Sequence, residues 1–112
     1  GPTEIRNKPV ITPGFTFVSI SAPAYLVLAT PVVLLVDPTA NPVVITMPTA
    51  APANSGHMIT IKNVLNSSPN LISASPVAGL IDNVQPTDTM STARGTMNFI
   101  SNGSNWYRLA TV

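Results

Sequence analysis

Residues 32–47 have the sequence VVLLVDPTANPVVITM, in which two apolar runs flank a turn rich in proline. Asp37-Pro38 favours a turn because proline presets φ at the second turn position. We therefore predict a β-hairpin with strands at 32–36 and 43–47. The first strand has no polar residue in alternation, so both of its faces must be covered, by a second sheet or by another chain.

Short apolar segments separated by Pro, Gly, Asn and Asp continue on both sides of this stretch. The apolar run 24–36 is interrupted by Pro31, which predicts two strands. Further on, Ile59 and Ile61 alternate with polar residues, as in a half-buried strand. Because 12 prolines leave little room for helices and β-branched residues favour strands, we predict an all-β fold, an antiparallel β-sandwich or barrel-like module.

A second hairpin is predicted near the C-terminus, with arms at 95–101 and 106–111. The turn between them, 102–105, contains Asn-Gly, a strong hairpin signal because both residues tolerate positive φ. Before this hairpin, 71–74 is predicted to be a short strand and 76–93 to be irregular.

The chain has 112 residues, about the length of one domain. Residues 1–2 are interpreted as a scar of tag removal. Residues 3–23, which contain three prolines, are predicted to be an extended N-terminal arm, and residues 24–112 a single β module. The longest apolar run, 24–36, is shorter than the roughly 20 residues that a membrane-spanning helix needs, so we expect no membrane insertion.

Composition excludes several kinds of function. The net charge is +1 without a basic run, which argues against nucleic-acid binding. Cysteine is absent, so neither disulfides nor thiolate metal sites can form. Only 8% of residues are charged, against roughly 25% in ordinary soluble domains. A neutral, apolar chain of this kind suits a structural or adhesive role, and we expect no cofactor and no metal.

Catalytic chemistry has few candidates in this sequence. His57 is the single histidine, and a catalytic triad would require a serine and an aspartate in register with it, which nothing in the spacing demands. Asp37, Asp82 and Asp88 are better explained as turn or loop residues than as paired acids for glycosidic cleavage. We therefore predict no catalytic residue and no enzymatic activity.

Two sets of residues are candidates for other roles. Large apolar side chains in the predicted strands are expected to form the core or an assembly surface: Val33, Leu35, Ile45, Ile59, Ile61, Phe99 and Trp106. Aromatic faces and arginines suit carbohydrate recognition, which makes these residues candidate glycan contacts: Tyr25, Arg94, Trp106, Tyr107 and Arg108. For Trp106 we favour packing in the core or between subunits.

Five motifs follow one another over residues 32–109. They are Val33-Leu34-Leu35-Val36-Asp37, Val44-Ile45-Thr46-Met47-Pro48, Gly56 with Met58-Ile59-Thr60-Ile61-Lys62, Leu80-Ile81-Asp82-Asn83, and Ser101-Asn102-Gly103-Ser104-Asn105-Trp106-Tyr107. Their order resembles a β-rich module of tail-fibre, head-fibre and other virion appendage proteins of tailed bacteriophages. The endings Ile-Thr-Met-Pro and Gly-x-Asn-Trp-Tyr are the most specific parts of the resemblance. Asn83 departs from the glycine usual in that module, and Met47 from the usual leucine.

The resemblance implies a structural module of the virion that assembles as a homotrimer and binds other virion proteins, as a fibre domain or a capsid decoration. Low charge and a strand apolar on both faces independently suit a chain that buries surface against its own copies. A receptor-binding tip that recognises a bacterial surface glycan is the main alternative. A monomeric β-sandwich adhesion module and a polysaccharide-degrading enzyme fit the sequence less well.

Overall fold

The computed structural model describes residues 16–67 and 70–109. Within these residues, two β-sheets pack around one core, and a short 3-10 helix lies at Pro52–Asn54. The described strands are β1 (Thr16–Ile20), β2 (Ala24–Leu26), β3 (Val32–Val36), β4 (Val43–Met47), β5 (Met58–Asn63), β6 (Ile72–Pro76), β7 (Asp88–Met90), β8 (Thr96–Ser101) and β9 (Trp106–Leu109).

The chain crosses from one sheet to the other after each of its first five strands. The five-stranded sheet has the order β1-β3-β5-β8-β9, and the four-stranded sheet has the order β2-β4-β6-β7. Strands β1, β3 and β5 are parallel, as are β2, β4 and β6, whereas the later strands pair antiparallel. This winding resembles a two-sheeted β-solenoid. The all-β prediction is confirmed, but the antiparallel arrangement is wrong because both sheets are mixed.

The predicted hairpin at 32–47 is also wrong. Its two strands lie in different sheets, where Val32 pairs with Ile59 and Val43 pairs with Ile72. The physical reason is visible in the first strand, since a continuous apolar run is typical of a parallel strand covered on both faces. The turn that begins at Asp37 therefore carries the chain across the core and does not reverse it within one sheet.

Other predicted strands are found close to their expected positions. The alternating segment around Ile59 and Ile61 forms β5, and the apolar run 24–36 is divided at Pro31 into β2 and β3. The C-terminal hairpin is present as β8 and β9. Residues 76–93, predicted to be irregular, contain the short strand β7.

The segment 3–23, predicted to be an extended arm, divides into two parts. Residues 16–20 form β1, which pairs with β3 throughout its length, and Ile20 is buried. This part belongs to the β module because its inward side chains help to fill the core. Residues 3–15 lie outside the described residues.

The parallel register stacks inward side chains in rows across each sheet. One row runs through Val18, Leu34, Ile61 and Met97, each in register with the next. Burial of such rows at about 25 cal/mol per Å² of apolar area is the main stabilising contribution. Of the residues predicted for the core or for assembly, these are buried: Ile45, Ile59, Ile61, Phe99 and Trp106.

The two ends of the sheet stack differ. At the end formed by the later strands, Arg108 of β9 reaches across to Asp88 of β7, with Nη1 3.5 Å from Oδ2. The ion pair thus joins the last strand of each sheet. At the opposite end, β1 and β2 are edge strands in a segment, 16–36, that has no charged residue. Among the described residues, this end, which we call the open end, lacks the charges that commonly protect sheet edges.

Trp106 fixes the closing hairpin to the rest of the fold. Its side chain is only 1% exposed, and its indole Nε1 donates a hydrogen bond to the Pro48 carbonyl at 2.7 Å. Ser101 anchors the other arm, because its Oγ donates to Asn54 Oδ1 and accepts from the Gly103 N–H. The motif that ends in Trp-Tyr is therefore structural. It fixes the end of the stack that the later strands form, which we call the closed end.

We expect Trp106→Ala to lower the free energy of unfolding by about 3–5 kcal/mol, because it removes a large buried side chain and leaves a cavity. Denaturant unfolding at a fixed protein concentration measures this change. Leu28→Ala is the matched control: Leu28 is 83% exposed, and its truncation should change the free energy by less than about 0.5 kcal/mol. Equal stability of the Trp106→Ala variant and the wild type would contradict the account.

Candidate assembly surface

His57 is held in a local structural contact. It is half-buried beside the closing hairpin, and its Nδ1 lies 2.8 Å from the Thr30 hydroxyl. Its backbone carbonyl accepts a hydrogen bond from the Ser101 N–H. These contacts join the start of β5 to the loop before β3 and to the end of β8.

The three aspartates each hold a turn or an edge strand. Asp37 Oδ1 accepts hydrogen bonds from the Thr39 hydroxyl at 2.5 Å and from the Thr39 N–H at 2.9 Å. Asp82 Oδ1 accepts from the Arg108 N–H at 3.0 Å. Asp88 is buried and pairs with the Arg108 guanidinium. Asp82 and Asp88 are thus brought to either side of Arg108, where both serve to fix β9.

The candidate glycan contacts do not form one surface. Tyr25 packs against the core on edge strand β2, at the open end of the stack. Arg94 is exposed in the turn before β8. Trp106 is buried, Tyr107 points outward from the five-stranded sheet, and Arg108 points inward. Sequence alone could not separate these positions because the distances between strands depend on the sheet order.

Two surface grooves contain polar side chains. One, of about 370 Å³, is lined by Ser19, Ser21 and Asp37 together with apolar residues. The other, of about 320 Å³, is lined by Arg108 and by several hydroxyl side chains next to it. Among the candidate glycan contacts, Arg108 alone lines either groove. The hydroxyl-bearing residues of the second groove are Thr89, Ser91, Thr92 and Thr96.

No group of three or more His, Cys, Asp or Glu residues in the described part of the chain could hold a metal ion. Within the same residues, no helix is long and apolar enough to cross a membrane.

The outer face of the five-stranded sheet carries a set of apolar side chains, and we call it the apolar face. The residues that alternate with the buried rows point outward here, and most of them are apolar. Val33 and Leu35, expected in the core or in assembly, belong to this face and are half-buried. Its apolar members are Phe17, Val33, Leu35, Met58, Ile100, Tyr107 and Leu109.

These side chains can be described as two patches, one on β1 and β3 and one on β5, β8 and β9. Phe17 and Val33 are in register on β1 and β3, with Leu35 two residues further along; these three form the first patch. The second patch lies on β5, β8 and β9. Its members are Met58, Ile100, Tyr107 and Leu109.

Polar side chains on the apolar face are largely satisfied within it. Thr60 Oγ1 donates to Asn98 Oδ1 at 2.7 Å, and in register this pair lies between Val33 and Leu109. Lys62, the one charged member among the described outward residues, donates its ammonium to the Arg94 carbonyl. The face therefore offers little unsatisfied hydrogen-bonding capacity at its centre.

The outer face of the four-stranded sheet is different in chemistry. Val44 is 45% exposed there, between Ala24 and Ser73 in register. Ser75 and Thr87 are hydrogen-bonded to each other at 2.8 Å through their hydroxyls. Leu26, 51% exposed and in register with Thr46, also points outward here. This face thus combines small and hydroxyl-bearing side chains with two exposed apolar ones.

Sequence reasoning missed part of the apolar face. Phe17 was placed in the predicted arm, and Ile100 was not singled out. The signal for Ile100 was available: Met97 and Phe99 alternate on one face of their strand, so Ile100 had to point to the other. Phe17 carried no such signal because its parallel partner β3 is distant in sequence.

No protein-family model matches this sequence, and no curated protein matches it. The resemblance to phage appendage modules therefore rests on the order of the motifs.

The hydrogen bonds from Thr39 hold the pKa of Asp37 below its usual value. We expect Thr39→Val to raise that pKa, because it removes the hydroxyl that donates to the carboxylate. Carboxyl NMR titration measures the change, and Thr87→Val is a control that removes a hydroxyl elsewhere.

Since the folded pKa of Asp37 is lowered, this turn stabilises the fold at pH values above the unfolded pKa of about 3.9. It loses its contribution as the pH falls through the folded pKa. An unchanged Asp37 titration in Thr39→Val would contradict this assignment.

Proposed function

We propose that this chain is a structural module of a bacteriophage virion, a fibre domain or capsid decoration that acts by assembling as a homotrimer. The observation that carries the proposal is the apolar face, a five-stranded sheet surface with one charged side chain among its described residues. The exposed apolar side chains of this face, among them Phe17 at 68% and Leu109 at 38% exposure, suit a surface that another chain covers.

The positions of the resemblance motifs support a structural role. The first motif is β3 with its turn, and the second ends at Pro48, whose carbonyl accepts the Trp106 indole hydrogen bond. The last motif forms the turn and strand of the closing hairpin. These three motifs thus serve the fold itself, as expected for a module whose task is mechanical.

In this function the module needs no reaction. Parallel ladders of backbone hydrogen bonds make each copy rigid, and contacts between copies make the assembly rigid. The first described strand, β1, is an edge strand of the stack. In this proposal, residues 3–15 join the module to neighbouring virion proteins.

The molar mass in solution tests the proposal. We expect light scattering after size-exclusion chromatography to give a mass near three times 11.7 kDa, unchanged on dilution through the micromolar range. A persistent monomer of 11.7 kDa would contradict the homotrimer.

Glycan recognition is the second candidate function, and the groove beside Arg108 is the observation that favours it. A guanidinium surrounded by hydroxyl side chains suits the hydroxyl groups of a sugar. We expect a bacterial surface glycan that binds the wild type to lose binding in Ser91→Trp, which fills the groove, and to keep it in Ser73→Trp on the neighbouring sheet face. A glycan screen without any binding would remove this candidate.

A further inference from the structure

We propose that the turn of the closing hairpin is a site of spontaneous deamidation at Asn102, and that the hydrogen bond between Gly103 and Ser101 slows this reaction in the folded chain. The co-reactant is water, and the product is an aspartyl or isoaspartyl residue in the turn that precedes Trp106. The chemistry belongs to the turn alone and does not depend on the virion function proposed above.

Asn102 has the most favourable successor for this reaction. It is the only asparagine of the chain that is followed by glycine, and a glycine places no side chain beside the backbone nitrogen that must attack the carboxamide. The turn also requires this glycine. Gly103 has a φ of +93°, which favours glycine, and a Cβ there would lie 3.4 Å from the Ser55 side chain. The fold therefore keeps the reactive Asn-Gly pair in place.

The reaction balances with water alone. After the Gly103 amide has lost its proton to a base from the solvent, its nitrogen attacks Cγ of Asn102. A new C–N bond closes a succinimide ring, and the bond from Cγ to Nδ2 breaks, so that this nitrogen takes up a proton and leaves as ammonia. Water then opens the ring at either carbonyl group, which gives aspartate or isoaspartate.

The proton that must leave is shielded in the folded turn. The Gly103 N–H donates to Ser101 Oγ at 3.0 Å, and Ser101 is buried. That hydroxyl is itself fixed, because it donates to Asn54 Oδ1 at 2.6 Å. The Gly103 proton is therefore bonded to a buried oxygen, and a base from the solvent reaches it only when the turn opens.

The carboxamide of Asn102 is exposed but is also held in place. Its Oδ1 accepts a hydrogen bond from the Ser104 N–H at 2.9 Å and another from the Asn105 N–H at 2.8 Å. These bonds restrict the rotation that ring closure requires. Because water already reaches the side chain, opening of the backbone turn controls the rate of deamidation.

The two products differ in their effect on the closing hairpin. An aspartate keeps the oxygen that accepts from the Ser104 and Asn105 N–H groups. An isoaspartate passes the main chain through the former side chain and lengthens the turn by a methylene group. Ser101 and Trp106, on the two arms of the hairpin, are paired in register. The longer turn disturbs this pairing and thereby weakens the packing of Trp106.

Peptide mapping by mass spectrometry, after incubation in mildly alkaline buffer, tests the site. In guanidinium chloride we expect Asn102 to be deamidated before Asn54 and Asn66, the internal controls, each of which precedes a serine. In the folded chain the reaction at Asn102 should be at least about tenfold slower, because the turn must first open. Faster reaction at either control in guanidinium chloride would overturn the site, and equal rates at Asn102 in the folded and unfolded chain would overturn the protection.

Substitution of the hydroxyl tests the protecting bond. We expect Ser101→Ala to speed deamidation of the folded chain about tenfold, the factor that corresponds to about 1.4 kcal/mol and to the usual contribution of one hydrogen bond. Thr60→Val is the matched control: it removes the hydroxyl that donates to Asn98 and should leave the rate at Asn102 unchanged. Equal rates in Ser101→Ala and the wild type would contradict the role of this bond.

Hydrogen exchange of the Gly103 amide in the folded wild type decides the matter if Ser101→Ala fails to fold. Slow exchange is expected, and exchange as fast as in the unfolded chain would overturn the protection. The thermal midpoint Tm then separates the products: Asn102→Asp should melt with the wild type, and the purified isoaspartyl form should melt at a lower temperature. An isoaspartyl form with the Tm of the wild type would overturn the effect on the hairpin.

Discussion

The parallel register of β3 between β1 and β5 is the constraint on which the rest of the structure depends. It places Leu34 in one row with Val18 and Ile61, and it aligns both sheets so that their inward rows close a single core. The same register decides which side chains face outward, because a strand shifted by one residue exchanges its two faces. The core and the apolar face are therefore two consequences of one alignment.

The two ends of this parallel stack differ in strand direction and in charge. At the closed end, the chain reverses into antiparallel strands, Trp106 fills the core and the Arg108–Asp88 pair bridges the sheets. At the open end, two uncharged parallel strands form the sheet edges.

The sequence predicted the positions of several strands and turns, but it did not predict which strands pair with each other. Alternation around Ile59 and Ile61 and the Asn-Gly turn before Trp106 located β5 and the closing hairpin, because both signals act within a few residues. The strand at 32–36 was also located, but its partners were misassigned. Val32 pairs with Ile59, and the intervening chain visits the other sheet; no local pattern encodes such a connection. The apolar face was predictable only in part for the same reason. The sequence identifies Val33 and Leu35 as candidates, but only the sheet order shows that Ile100 lies on the same face.

The most direct test of the central claim is a covalent link between two positions in parallel register. The chain has no cysteine, so Phe17→Cys and Val33→Cys, which are register partners on β1 and β3, introduce the only thiols. After mild oxidation of this double variant, the account predicts an intramolecular disulfide and no thiol that reacts with a maleimide, because a disulfide requires the Cα atoms to lie within about 7 Å. Two free thiols in this variant, while Phe17→Cys with Ile100→Cys forms an intramolecular disulfide, would contradict the account.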